Sequence, residues 1–185
     1  MAGLTDLLKS TREFEDLLAA AGPSGKSGIA RLTGLSGPQK AYALAALAEA
    51  EERLVVMTFN QQEADKLASD MSAILGSSLP VYEFPFKDLL PYEEASAPSE
   101  LTAKRIAAMS GLARSMPGVY ILAARSASYR LMPKDRFRDS HIEIRRGGSL
   151  DPIVALETLA GLGYERTDRC EGEGQMSFKG GVLDV

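Results

Sequence analysis

Unbroken apolar runs, alternating with stretches of helical periodicity, constrain this chain more than any other feature. Leu54-Val55-Val56-Met57-Thr58-Phe59 is apolar and β-branched throughout, and such runs in α/β proteins are strands buried on both faces. Asn60 then caps a helix, with Glu63 at the capping-box position and Ala64, Leu67, Ala68, Met71 and Leu75 as its buried stripe up to Gly76. Pro80 to Phe84 reads as another strand. Ser99 caps a helix whose stripe includes Thr102, Ile106, Met109 and Ala113, and Val119 to Ala124 is a second buried strand. Strand and helix thus alternate at βαβ spacing, which predicts a mainly parallel sheet with flanking helices.

Upstream, Leu4, Leu7, Leu8, Phe14, Leu17 and Leu18 recur at helical spacing, so this stretch reads as an amphipathic helix leading into the Gly/Ser-rich joint of residues 22–28. Its acids and its lack of a basic start argue against a signal peptide. After a short apolar piece, Ile29 to Leu32, read as a strand, Thr33 to Lys40 leads into AYALAALAEAEER, apolar nearly all round until Glu49. The alternation stops near Pro133, where Lys134 to Arg138 is polar and basic, so a domain boundary is expected around residue 140. Beyond it His141 to Arg146 reads as a strand. Asp151 caps a helix with Pro152 at its first position and Ile153, Val154, Leu156, Leu159 and Leu162 as apolar residues. Tyr164 to Cys170 and Met176 to Val185 read as two strands joined by Glu171-Gly172-Glu173-Gly174. A stop at Gly181-Val182-Leu183-Asp184-Val185, inside a strand, is the mark of a piece of a longer protein.

The formal charge of −4 gives no net positive field for phosphate backbones, so DNA binding by this segment alone is not expected. Cys170 has no disulfide partner and cannot build a metal site with the single histidine, His141, which suggests a reducing cytosol and no metal. Triad chemistry would have to use His141, and no nucleophile elbow is present, so no catalytic residues are assigned. No run reaches membrane-spanning length.

Two stretches invite a phosphate-loop reading. Ala20 to Ser27 ends in Gly-Lys-Ser but is followed by more glycines rather than a helix, so its amides cannot converge on phosphate. Gly34-x-x-Gly37-x-Gln39-Lys40-Ala41 has the right setting, between a strand and a helix, yet its chemistry is damaged. Gln39 replaces a glycine that lets backbone approach phosphate, and Ala41 replaces the hydroxyl residue that would ligate Mg²⁺. No candidate strand ends in an Asp-Glu pair; Val119 to Ala124 runs into Arg125-Ser126. Lys40 has a plainer reading, a solvated lysine in a first helical turn, but a cation there opposes the helix dipole and fits a vestigial nucleotide loop. ATP hydrolysis by this segment is not expected.

The Leu32-Thr33-Gly34-Leu35-Ser36-Gly37 loop, the stretch Tyr82-Glu83-Phe84-Pro85-Phe86-Lys87-Asp88-Leu89-Leu90-Pro91-Tyr92-Glu93, the helix opening Ser99 to Ile106 and the terminal Phe178-Lys179-Gly180-Gly181-Val182-Leu183-Asp184-Val185 together resemble the N-terminal region of bacterial transcription-repair coupling factors, the Mfd family. That region is similar in turn to the excision-repair subunit UvrB. UvrB keeps an intact phosphate loop and a long tyrosine-rich hairpin, whereas here the loop is degraded and only Pro91 to Pro98 stands in the hairpin's place.

The resemblance implies that residues 1–140 are an inert copy of a helicase-like, P-loop NTPase-like α/β domain, and that 141–185 begin a small α+β domain that recruits UvrA. It implies a cytoplasmic parent whose translocase domains, outside this chain, use ATP and Mg²⁺ and engage RNA polymerase and DNA; the segment itself needs no cofactor. Within the family a basic residue before the glycine of the terminal strand motif contacts UvrA, and that position is Lys179; Arg166 and Arg169 lie on the neighbouring strand. A solvated sheet face is the plainer reading of all three. Two other readings stay open: a UvrB-type subunit binding ATP and damaged DNA, and a structural domain that restrains the parent motor through intramolecular contacts.

Overall fold

The computed structural model describes residues 4–21, 29–86, 99–142, 144–172 and 174–185. Its elements divide into two compact units, Met1–Leu131 and Met132–Val185.

The first unit begins with two helices where the periodicity suggested one, α1 (Leu4–Lys9) and α2 (Arg12–Ala21). The break has a chemical cause. Ser10 Oγ donates to the Leu7 carbonyl and Thr11 Oγ1 to that of Leu8, while Thr11 Oγ1 accepts from the Phe14 amide, so the two hydroxyls end one helix and cap the next. Phe14 is thereby turned into a buried cluster with Ala46 and Leu47, and Lys9 pairs with Glu49 at 2.5 Å. Residues 29–33 form no strand: Ile29 and Leu32 are exposed, and among the described residues no strand pairs with them.

The central layer follows. Helix α3 (Gly37–Glu51) buries Ala41, Ala43, Ala45, Ala46, Leu47 and Ala48, as an all-round apolar helix should. Strand β1 (Arg53–Thr58) leads to α4 (Gln61–Leu75), where Asn60 Oδ1 accepts the Glu63 amide at 2.8 Å and Ala64, Ala68, Met71 and Leu75 are buried. Then come β2 (Val81–Phe84), α5 (Ser99–Ala113) and β3 (Gly118–Ala123), with α6 (Ala124–Ala127) closing the unit. The sheet is parallel with order β1-β3-β2, as the βαβ spacing predicts. Reversing direction at β2 sends α5 to the face opposite α4, which keeps both crossovers right-handed.

Strand β3 sits in the middle and is buried along its length. Val119 and Ile121 enter the cluster made by α3 and α4 with Met71, Ala45 and Ala64. Tyr120 points the other way, with Phe84 and Ala108, and stacks on Tyr82 at 4.9 Å. Its hydroxyl donates to the Met116 carbonyl at 2.9 Å, and burial pushes the phenol pKa up. The expectation that β1 is buried on both faces fails, because β1 is an edge strand whose Val55 and Met57 are exposed. The stripe expected on α5 holds in part: Met109 packs on the Phe84 and Tyr120 cluster, but Thr102 and Ile106 are exposed, and the contact face is carried by Ala108 and Gly111. Tyr120 is the reason, since a Cβ on Gly111 would lie 2.5 Å from its oxygen. Arg105 reaches over the edge of this face, its guanidinium 3.9 Å from the Phe84 ring centre and bonded to the Pro85 carbonyl.

The second unit contains α7 (Lys134–Asp139), α8 (Pro152–Gly161), β4 (Glu165–Arg166), β5 (Gln175–Lys179) and β6 (Val182–Asp184). Asp151 caps α8 as read, its Oδ1 accepting the Ile153 amide at 2.9 Å. No strand forms among the described residues of 141–146, where Gly147 (φ +79) turns the chain at once. The expected strand from Tyr164 shrinks to two residues, parallel to β5. The stretch from Met176 to Val185 is a hairpin, not one strand: Gly180 and Gly181, at φ +60 and +84, form a two-residue turn that only residues tolerant of positive φ allow. Among the described residues no helix is long and apolar enough to cross a membrane.

Replacing Gly111 with alanine should overpack the Tyr120 contact and cost about 1–3 kcal/mol in urea unfolding. Gly111→Ala combined with Tyr120→Leu should recover part of that loss, whereas equal effects of Gly111→Ala in both backgrounds would show that the ring is not what requires glycine.

Candidate functional site

Two places carry the residues singled out by sequence, one in each unit. The first is the start of α3. Ser36 is extended (φ −78, ψ 173), and both its amide and its hydroxyl donate to Gln39 Oε1, at 2.8 and 3.0 Å. This is the reciprocal half of a capping box, with glutamine at the third helical position. A glycine there would leave room for phosphate; Gln39 instead bonds the loop to its own helix.

The remaining positions of the loop point the same way. Pro38 has no N–H, and the Lys40 amide is committed to the Ser36 carbonyl at 2.9 Å, so at most the Gly37 and Gln39 amides of the first turn face an anion. Gly34, at φ +82, serves the turn before the helix and is open to solvent. Ala41 is fully buried in the cluster with Ala45 and Ala64, so position 41 packs the core rather than facing a metal.

Lys40 is exposed and lines two hollows. One, of about 230 Å³, is apolar and bounded by Leu17, Leu32, Leu35, Leu44 and Leu47. The other, of about 300 Å³, lies where β1 ends and collects Gly37, Phe59, Glu63, Lys66 and Asp70. Lys66 Nζ comes within 3.9 Å of where a Cβ on Gly37 would stand. Two ammonium groups and two carboxylates share this hollow, so it lacks the single-signed field of a triphosphate site. Lys66 and Glu63 were not legible as neighbours of the loop: nothing in the spacing of α4 shows which turn of it reaches α3. The decoy at Ala20 to Ser27, nearly all of it, and the stretch Pro91 to Pro98 lie outside the described residues. Among the described residues no cluster of three or more His, Cys, Asp or Glu could hold a metal ion.

The second place is the hairpin of the small unit. Lys179 ends β5, is largely exposed, and lies 3.4 Å from Asp168 in the connection between β4 and β5. Ser177 Oγ donates to the Asp168 carbonyl at 3.1 Å, which holds that connection against the strand. Arg166 and Arg169 are exposed. Arg166 and Lys179 do not share a face: Arg166 pairs with Met176, whereas Lys179 lies on the Ser177 face of β5 and stands opposite Val182, and Arg169 lies outside the strands. Cys170 Sγ donates to the Asp184 carbonyl at 3.3 Å, a structural contact.

Comparison with known proteins adds a result from outside the geometry. No family model matches the chain. Curated transcription-repair-coupling factors match it along its whole length. That of Staphylococcus aureus (strain USA300) is 27% identical over 186 residues, covering 100% of this chain and 16% of its own length. That of Staphylococcus haemolyticus (strain JCSC1435) is 26% identical over 183 residues, covering 98% of this chain and 15% of its own. The chain thus spans about a sixth of the length of these relatives, and the resemblance read from the loop, the helix opening and the terminal motif holds across the whole chain.

Substituting Gln39 by alanine should remove the cap from α3 and destabilise the first unit by about 1 kcal/mol in urea unfolding. Gln39→Glu, which keeps the acceptor, should cost less than half as much. Equal losses for both would show that the Ser36 contact contributes nothing.

Proposed function

We propose that this chain is a non-catalytic, UvrB-like module of a transcription-repair coupling factor, and that it recruits UvrA to stalled RNA polymerase in transcription-coupled excision repair. The similarity to coupling factors from one end of the chain to the other carries this reading. The start of α3 supports the non-catalytic part, because Gln39 and Pro38 take up the positions and amides that a bound triphosphate would need. ATP, Mg²⁺, DNA and RNA polymerase are then the business of translocase and polymerase-binding domains elsewhere in a cytoplasmic parent.

Docking falls to the small unit. Lys179 is the principal contact, an ammonium at the end of β5 that meets an acidic group on UvrA as a point charge rather than through the two-pronged geometry of arginine. Arg169 and Arg166 are auxiliary, and Arg166 is the weaker of the two because its strand position faces the Met176 side. The module also restrains the parent motor through intramolecular contacts.

Lys179→Glu, made in the longer protein, should weaken UvrA binding by about tenfold or more in a titration at low salt. Unchanged affinity would remove Lys179 from the site. The non-catalytic reading has its own test: calorimetry of this chain with ATP and Mg²⁺ should show no micromolar binding, and such binding would favour the UvrB-type reading instead. Deleting the module should raise the parent's ATPase rate, and an unaltered rate would eliminate restraint.

A further inference from the structure

In the small unit the connection between β4 and β5 is tied to the hairpin at several points. The Thr167 amide donates to the Met176 carbonyl at 2.9 Å, Ser177 Oγ to the Asp168 carbonyl at 3.1 Å, and Cys170 Sγ to the Asp184 carbonyl at 3.3 Å. Ser177 is 5% exposed, so without Asp168 its hydroxyl would be a buried donor left unmet. The backbone at Asp168 is therefore held, although its carboxylate stands in solvent. Ser177 and Lys179 alternate with Phe178 and share one face of β5. Fixing residue 168 against Ser177 thus places its carboxylate beside the next side chain along that face, and Lys179 Nζ lies 3.4 Å away. The pairing is selective. Arg166 and Arg169 flank Asp168 in sequence and are exposed, yet neither pairs with a carboxylate among the described residues; the lysine that the fold brings in does.

We propose that Asp168 is a resident competitor for the Lys179 ammonium, and that it sets how acidic a docking partner must be before the hairpin accepts it. The inference rests on the reading of Lys179 as a UvrA contact and adds the residue that governs that contact. A lone carboxylate on a partner attracts the ammonium no better than Asp168 does, and Asp168 has the advantage of belonging to the same chain, at high effective concentration. A partner with clustered acids, or with one acid and further contacts, displaces it. Asp168 itself need touch no partner, since it acts through the lysine. Both groups are solvated, and an exposed pair of this kind shifts an equilibrium by about 1.5- to 5-fold, which bounds the effect.

The test is a double-substitution cycle on UvrA affinity, titrated at low salt in the longer protein. Asp168→Asn should tighten binding by about two- to fivefold. With Lys179→Met already present, Asp168→Asn should change affinity by less than about 1.5-fold, because nothing is left to compete for. Unfolding in urea checks that the small unit is intact, and Asp168→Ser gives the same readout should the asparagine variant fail to fold. A gain that persists beside Lys179→Met would overturn the proposal, since it would come from lost repulsion between two acidic surfaces rather than from a freed lysine. Unchanged or weaker binding by Asp168→Asn, with Lys179→Met still lowering affinity, would also overturn it while leaving the docking role of Lys179 standing. If Lys179→Met itself leaves affinity unaltered, the proposed contact fails and this inference with it.

Discussion

The double burial of β3 is the constraint on which the first unit depends. A strand with apolar side chains on both faces can exist only between two layers, so it demands α3 and α4 on one side and α5 on the other. Its position between β1 and β2 in turn forces a return crossover on the far side of the sheet. Gly118, at φ +151, lets the strand start directly beneath Tyr82 and Pro80, where a Cβ would meet the ring at 2.8 Å. Tyr120 then sets how closely α5 approaches, and a glycine on that helix is the complement. One residue type on one strand thus fixes the small-residue face of a helix several turns long.

The layout of this unit was legible because its signals are local. The apolar run of β3, the Asn60 cap and the Ala64-Ala68-Met71-Leu75 stripe each lie within a few residues, and each appears where it was read. What could not be read were features decided by neighbours. The exposure of Val55 and Met57 depends on β1 lying at an edge, which no property of the strand itself announces. The face of α5 depends on a tyrosine that follows it in sequence. In the small unit, Gly180-Gly181 was visible, but its reading as the interior of a strand gave way to a turn once both residues took positive φ.

The candidate site divides in the same manner. The degraded phosphate loop was an expectation drawn from Gln39 and Ala41 as residue types. In three dimensions Gln39 is a cap acceptor and Ala41 is core. The basic trio of the small unit was legible as charge but not as geometry, since the register of a two-residue strand decides that Arg166 and Lys179 look in different directions. Sequence pattern locates chemistry well when the chemistry belongs to one element. It locates poorly any arrangement that arises from the meeting of two.

Under the proposed docking role, the pairing of Lys179 with Asp168 sets the terms on which an acidic partner would arrive. In that role an arriving acid is offered an ammonium held on the hairpin's surface. It also meets a rival. Because both members of the pair lie in solvent, swapping one carboxylate for another releases little, and the net gain is the difference between two similar attractions. Such an arrangement suits a handshake that must be let go: selective about sign and direction, brief in duration, and dependent on further contacts elsewhere for any lasting grip.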